Sequence, residues 1–432
     1  MKIENSGWPI IALEEAAEIC DNQRKPVNSK ERAKRLERKK QGELYPYYGA
    51  TGQVGYIDEY IIDGEYVLLG EDGAPFLDAF ASKAYLISGK GWVNNHAHIL
   101  KSKINSKFLC YYLNAFSYKG FVSGTTRLKL TQASMKKIPI PCPLPDEQKR
   151  IVNRIEELFS NLDKAVETLQ TTKAQLAIYR QAVLKEAFEG KYTKEWRQKN
   201  RSKSPYVDFE SIKIENPIFK DISGDENEMQ LDLPDSWLKI RLGEVFEVEV
   251  GATPSRQKPE YWNGKINWVS SGEVHFNKIF YTKECISEEG LNHSSTNIHP
   301  IGTVMLAMIG EGKTRGQAAI LNTEAAHNQN TAAILVSKAQ CQPQYIYYFL
   351  LMNYENTRRV GSGNNQKALN KERVRALRFP FTSFEEQVLI VQQIESRLSV
   401  CDSIEQIINT ALQQADAMRQ SILKQAFEGR LV

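Results

Sequence analysis

The chain has 432 residues, 41% hydrophobic and 25% charged, the balance of an ordinary globular protein long enough for several domains. A net charge of +4 is too small to name a partner, and six scattered cysteines without a Cys-x-x-Cys argue against a disulfide framework or a zinc ribbon. No run approaches the roughly 20 apolar residues of a membrane span, and residues 1–5 lack the apolar core of a signal peptide, so a cytoplasmic protein is expected.

Residues 8–120 are rich in Tyr, Val, Ile and Gly. Short runs such as Tyr66-Val67-Leu68-Leu69 alternate with turn signals (Asp63-Gly64, Asp72-Gly73, Ser88-Gly89), the pattern of an irregular, strand-rich α+β domain. Between Arg24 and Lys40 nine cations face only Glu31 and Glu37. Such a run reads either as a solvated helix or as a phosphate-contacting surface. It is built of cations rather than of the planar amides that discriminate bases, so Arg24, Lys25 and Lys30 are expected to touch phosphate. His96 and His98 flank Ala97 with no evident third ligand, which favours a hydrogen-bonded structural pair over a metal site.

Prolines 139, 141, 143 and 145 mark the entry to a long helix. Ile155, Leu162, Leu169, Leu176 and Val183 recur every seven residues, and Ile151, Leu158, Ala165, Thr172 and Tyr179 form the second row of an a/d heptad. Gly190 stops it. Residues 191–232 then run from basic (Lys191, Lys194, Arg197, Lys199, Arg201, Lys203) to acidic (Asp221, Asp225, Glu226, Glu228, Asp232), as a partly extended linker would. Residues 237–345 are again strand-rich. Their glycine-rich loops mix small polar residues with cations: Thr253-Pro254-Ser255-Arg256, Ser270-Ser271-Gly272-Glu273, Lys313-Thr314-Arg315-Gly316 and Asn328-Gln329-Asn330. Arg, Asn, Gln and Ser are side chains that read base edges.

The second half echoes the first at a constant offset of 239. Pro141 returns as Pro380, Glu147-Gln148 as Glu386-Gln387, Ile155-Glu156 as Ile394-Glu395, and Ala187-Phe188-Glu189-Gly190 as Ala426-Phe427-Glu428-Gly429. The second helix carries Ile394, Cys401, Ile408, Ala415 and Ile422 on one row, and Ile390, Arg397, Ile404, Ala411 and Met418 on the other. The helices, expected over 147–188 and 386–427, are thus alike, whereas the globular regions before them share little sequence. A lone stripe of this length needs a partner, and a duplicated one supplies it within the chain.

No catalytic constellation emerges. Pro145-Asp146-Glu147-Gln148-Lys149 has the letters of a nuclease core but opens a helix, where acids suit the dipole. Asn216-Pro217-Ile218-Phe219 resembles a methyltransferase loop without the glycine-rich turn for a cofactor. Gly310-Glu311-Gly312-Lys313-Thr314 lacks the spacing of a phosphate-binding loop.

The pattern resembles the DNA-specificity (S) subunit of type I restriction-modification systems, over nearly the whole chain. The resemblance rests on the openings Gly7-Trp8-Pro9 and Leu233-Pro234-Asp235-Ser236-Trp237. It also rests on Tyr47-Tyr48-Gly49-Ala50-Thr51-Gly52, on Gly251-Ala252-Thr253-Pro254-Ser255 with Glu260-Tyr261-Trp262, and on Pro145-Asp146-Glu147-Gln148 entering the first spacer. Phe384 replaces that proline at the second spacer, and Ala-Phe-Glu-Gly ends both. The resemblance implies an α+β chain with target-recognition domains at 1–140 and 233–379, each followed by a long helix (141–190 and 380–432), the helices pairing as an antiparallel intramolecular coiled coil. It implies a non-catalytic, sequence-specific DNA-binding subunit that reads a bipartite asymmetric target in double-stranded DNA. Specificity would pass to two modification (methyltransferase) and two restriction (helicase-nuclease) subunits, with S-adenosylmethionine, ATP and Mg on those partners. The expected DNA contacts are Arg24, Lys25, Lys30, Thr51, Arg127, Ser255, Arg256, Ser270, Lys313, Arg315, Gln329 and Asn330, with Phe188 and Phe427 facing partner subunits. The alternative is a coiled-coil scaffold that only joins proteins.

Overall fold

The computed structural model describes residues 7–37, 39–200, 213, 231–310, 312–336, 339–359 and 369–432. Arg38, Glu311, the 216–219 motif and most of the charged joint, residues 201–228, lie outside the described residues except Lys213. The chain divides into two compact units, residues 1–173 with 406–432, and residues 174–405. Neither boundary coincides with a globular region followed by its own helix; each long helix contributes to both units.

In unit 1 the chain forms β1 (Ile10–Ala12), α1 (Leu13–Ala16), β2 (Ala17–Ile19) and α2 (Ser29–Leu36). Then come β3 (Tyr45–Gly49), β4 (Gly52–Ile57), β5 (Ile62–Gly70), β6 (Ala84–Val93), β7 (Ala97–Ser102) and α3 (Ser106–Ala115). Strands 2 to 7 make one sheet in the order β2-β7-β5-β6-β3-β4. Side chains alternate across a strand. Val67 and Leu69 of β5 accordingly enter a core with Phe108, Leu109 and Tyr112 of α3, while Leu68 joins Ile87 and Ile99 on the other face. β8 (Val122–Ser123), β9 (Lys129–Leu130), α4 (Gln132–Lys136) and β10 (Pro139–Pro141) lead into α5, Pro145–Phe188.

Unit 2 has α6 (Lys194–Lys199), β11 (Leu238–Arg241), α7 (Leu242–Val245), β12 (Glu247–Val250), β13 (Trp262–Val269), β14 (Asn277–Ile279), β15 (Glu284–Ile286) and α8 (Glu288–Asn292). β16 (Val304–Ala307), β17 (Ala318–Leu321), β18 (Ala325–His327), β19 (Thr331–Leu335), α9 (Pro343–Met352), α10 (Tyr354–Arg359), α11 (Lys371–Ala376) and β20 (Arg378–Phe381) precede α12, Phe384–Phe427. Its sheets are β12-β19-β16-β17-β14 and β15-β13-β18, a topology unlike that of unit 1.

Beneath the unlike sheets lies one frame, present in each unit. The strand after the opening tryptophan pairs antiparallel with the strand before the long helix, β1 with β10 and β11 with β20. The Glu-Gln pair that opens each long helix closes this frame. Trp8 Nε1 donates to Glu147 Oε1 (3.2 Å), and Trp237 Nε1 to Glu386 Oε2 (2.9 Å). Gln148 donates to the Pro143 carbonyl (2.8 Å) and accepts from the Asn105 amide (2.9 Å) just before α3. Gln387 does the same with the Thr382 carbonyl (2.7 Å) and the Gln342 amide (3.1 Å) before α9. The repeated dipeptide is a clasp, since each buried polar group it brings is met.

Both long helices have 44 residues, about 66 Å at 1.5 Å per residue. Their partners run in opposite sense. In unit 1 Asp163 pairs with Arg419 and Lys173 Nζ donates to Asn409 Oδ1 (2.7 Å); in unit 2 Arg180 pairs with Asp402 (2.7 Å) and Glu405 (3.0 Å). Pairing is therefore antiparallel, but by one row. Ile394, Cys401, Ile408, Ala415 and Ile422 are all at most 9% exposed. The expected second row is buried only where the helices enter the cores, at Ile151 and Ile390; elsewhere Tyr179 is 48%, Ile404 38% and Met418 53% exposed, and Ala165 and Thr172 are exposed too. Two helices have only one mutual face, so along their middle the second stripe is left largely open.

Each helix end is sunk in a core. In unit 1 Phe427 stacks edge-on against Phe108 and Tyr112, both at 5.2 Å, beside Ile151, Val152 and Ile155. In unit 2 Phe188 meets Tyr345 at 5.0 Å and Phe349 at 5.7 Å, with Leu184, Ile390 and Ile394 around it. This corrects the expectation that Phe188 and Phe427 face partner subunits: both are 0% exposed and enclosed on all sides by their own chain. A second correction concerns the linker. Residues 191–199 are helical rather than extended, and Arg197 is pinned at 2.6 Å to Glu386, whose carboxylate also accepts from Thr193 and Thr382.

Candidate nucleic-acid interface

In unit 1 the cation run is divided by residue type. Asn28 caps α2 by accepting from the Glu31 amide (2.9 Å), which fixes the helix phase. Arg32 and Arg35, three apart, then share the inward face. Arg32 lies over Tyr47 and Arg35 over Trp92, each at 4.8 Å; Arg35 also pairs with Asp58 (2.6 Å) and Glu59 (2.9 Å). Arg24 is taken up as well, against Asp21 (3.2 Å) and Glu71. Its expected phosphate contact is corrected accordingly: its side chain is 17% exposed and its charge is matched by two carboxylates. Burial pushes the Asp21 and Glu71 carboxyls up, but His98 and Arg24 beside Asp21, and Arg24 and Lys129 beside Glu71, outweigh it and hold both below their ordinary values. Lys25, Lys30, Lys34, Lys39 and Lys40 are exposed, with no carboxylate partner for their side chains among the described residues.

Thr51 is exposed in the turn between β3 and β4, and Arg127 is exposed while pairing with Asp72 (3.1 Å). The histidines answer to separate partners. His96 Nδ1 meets Asp72 (2.5 Å), whereas His98 has Asp21 at 2.6 Å on Nδ1 and the Leu130 carbonyl at 3.0 Å on Nε2.

In unit 2 the polar loops converge on β13. Trp268 Nε1 donates to the Ala252 carbonyl (3.1 Å), Trp262 Nε1 to the Ser255 carbonyl (3.1 Å), and the Asn328 amide to the Val269 carbonyl (3.0 Å). Gly251 lies so close to the His327 carbonyl that any Cβ there would collide with it. Thr253 Oγ1 donates to Gln329 Oε1 (2.6 Å), and Ser270 Oγ donates to Glu273 (2.8 Å). Arg256 is clasped by both oxygens of Glu284 and lies 3.7 Å over the Trp262 ring. The hydrogen bonds from Arg256 hold the Glu284 carboxyl below its usual range. Ser255, Arg256, Ser270, Gln329 and Asn330 thus belong to one loop cluster. Lys313 and Arg315 belong to a second, braced on α10: Arg315 donates to the Arg358 carbonyl (3.0 Å) and Tyr354 to that of Lys313. Asn330 joins the two, its carbonyl accepting from the Met308 amide (2.9 Å) at the start of the second loop.

Beside β13, at β18, sits a pair that sequence reading missed. His327 bonds Thr331 (2.8 Å) and His299 (3.1 Å). Burial and the neighbouring ring push His327 down to about 3, and burial lowers His299. Also missed are Phe280 and Tyr281, 61% and 82% exposed between β14 and β15; the signal was present as two aromatics at a turn between Lys278 and Lys283. Among the described residues no group of three or more His, Cys, Asp or Glu could hold a metal ion, and no helix is long and apolar enough to cross a membrane.

A family model described as the type I restriction modification DNA specificity domain matches residues 5–177 and again 234–414. A putative type I restriction enzyme specificity subunit of Haemophilus influenzae is 38% identical over 148 residues, a stretch covering 34% of this chain and 36% of that one. The specificity subunits of the Escherichia coli type I restriction enzymes EcoDI and EcoBI are 22% and 23% identical over 90% of this chain, spanning 82% and 78% of theirs. Of solved structures, one from work on assembly and conformational transition of the type I R-M system superposes with a TM-score of 0.67 at 14% identity, over 98% of both chains. The HsdS subunit of Thermoanaerobacter tengcongensis gives 0.55 at 14% identity, over 98% of this chain and 97% of that one. At that identity the likeness is one of fold.

Proposed function

Because the chain belongs to the family of type I restriction-modification DNA specificity proteins, we propose that it is the non-catalytic subunit that reads a bipartite, asymmetric DNA sequence, one half-site through each unit. The observation that carries this reading is the pairing of unlike sheets with a like frame. A symmetric scaffold has no use for two different surfaces, whereas two half-sites of different sequence require them. In unit 1 exposed lysines on and beside α2 supply sequence-independent attraction to phosphate. In unit 2 the β13 loop cluster offers Ser, Gln, Asn and Arg at a rigid edge, the chemistry of base readout. Thr51 and Arg127 in unit 1, and Lys313 and Arg315 in unit 2, extend the two surfaces.

The subunit works in the cytoplasm and confers its specificity on two modification and two restriction subunits. S-adenosylmethionine belongs to the former, and ATP and Mg to the latter. The test is selection from a randomised duplex library by the chain assembled with its modification subunits. The expected product is two short, different motifs separated by a fixed number of unspecified bases. A single continuous motif, a palindrome or no enrichment would overturn the reading.

A further inference from the structure

The loop joining β14 to β15 is short, anchored at both ends and oddly apolar at its tip. Ile279 is 3% exposed and ends β14 in register with Leu321 of β17. Thr282 accepts from the Trp268 amide (3.2 Å) and donates to the Glu284 carbonyl (2.7 Å). The Lys283 amide donates to Glu273 (2.8 Å), itself only 8% exposed. Between these anchors Phe280 and Tyr281 are displayed at 61% and 82% exposure. Lys278 and Lys283 flank them, without a carboxylate partner among the described residues. The chain enters the element strained: Phe276 has φ 57, a region a bulky side chain rarely occupies. It is held there by Tyr347 and Tyr354 and by its amide on the Ala318 carbonyl (2.8 Å). Exposing two adjacent rings to water is unfavourable unless something covers them.

We propose that Phe280 and Tyr281 form a wedge that unstacks one base step in the half-site read by unit 2, with Lys278 and Lys283 holding the phosphates on either side. The inference rests on the DNA-reading function proposed above. The flanking cations and the anchorage on Trp268 and Glu284, which also carry the candidate base readers, favour a duplex over a protein as the occupant. Apolar wedges of this kind insert between base steps and kink the duplex, and π faces stack on bases of any sequence.

The test uses the full chain assembled with its modification subunits and the duplex recovered by selection, with 2-aminopurine walked through the second half-site. Wild-type binding should brighten one step in addition to any adenine extruded for methylation. F280A/Y281A should lose that step's signal and bind roughly tenfold or more weakly, while the signal of the extruded adenine persists. K278Q/K283Q should weaken binding yet keep the step's signal at saturating protein. An unchanged signal in F280A/Y281A, with wild-type binding intact, would overturn the wedge alone. Loss of assembly with the modification subunits would mark the rings as a protein-docking surface and overturn it too. Failure of the wild-type complex to prefer the selected duplex would overturn both the wedge and the DNA-reading function.

Discussion

Replacing Phe427 by Ala should damage a domain whose globular part ends some 280 positions earlier in the sequence. Phe427 is fully buried, edge-on to Phe108 and Tyr112 at 5.2 Å, in the core that also holds Val67 and Leu69 of β5. Removing a buried phenylalanine costs about 3–5 kcal/mol, and the two aromatic pairs, each worth about 0.5–1.5 kcal/mol beyond burial, place this site in the upper part of that range. Against a total of about 5–15 kcal/mol for a domain, that is a third or more. A fall in melting temperature of roughly 8–20 °C should follow for a unit of this size. Hydrogen exchange read by mass spectrometry localises the effect. Peptides from β5, β6 and β7 should lose protection, while those from β16 to β19 in unit 2 should not change. Phe188→Ala should give the mirror result. If F427A loosened only the end of its own helix, or opened unit 2 instead, the reciprocal insertion of the helix ends would be wrong.

Three further outcomes follow from the same geometry. Changing Lys25, Lys30 and Lys34 together to Gln should weaken binding to every duplex and reduce the log-log salt slope by about 0.9 for each phosphate no longer neutralised, whereas Arg24→Ala should chiefly lower thermal stability, because Asp21 and Glu71 lose their counter-charge. Arg197→Ala leaves the Glu386 carboxylate, 3% exposed, without its cation; breaking such a buried pair costs about 3–5 kcal/mol, to be read by denaturant titration and partly rescued in R197A/E386Q. Burial lowers both His327 and His299, and with the neighbouring ring it holds His327 down near 3. Above the ordinary histidine value of about 6.5 they contribute no pH dependence; as pH falls from there towards 3 the unfolded chain takes up protons that the folded one refuses. Stability of unit 2 should then fall by up to about 1.4 kcal/mol per pH unit from His327, with His299 acting in the same direction, and H327Q should flatten that dependence in acid melts.

Much of the frame is legible in sequence. The offset of 239, the heptads and the terminal glycines locate both long helices to within two residues of Pro145–Phe188 and Phe384–Phe427. Gly190 and Gly429 do end them in the left-handed region, at φ 66 and 70. What sequence does not show is which partner each residue finds. The Ala-Phe-Glu-Gly ends read the same whether they face solvent, a second protein or a distant core, which is why Phe188 and Phe427 pass for surface residues. Arg24 looks like a free cation because one of its two carboxylates, Glu71, lies 47 positions away and is brought near only by the sheet, and the other, Asp21, belongs to the turn before it. The heptad's second row misleads for another reason: periodicity reports the width of an apolar stripe, not how much of it one neighbour covers.

The exchange of helix ends between units also orders the birth of the molecule. A ribosome releases the sheet of unit 1 first, yet the Ile422–Phe427 segment that seals its core is made only after all of unit 2. Until then Phe108, Tyr112 and their neighbours face an unfilled socket. A chain stalled anywhere in between carries that socket open, an adhesive site for other nascent chains. Maturation of the first unit is thereby tied to completion of the second, and a half-made subunit is marked as unfinished by its own exposed interior.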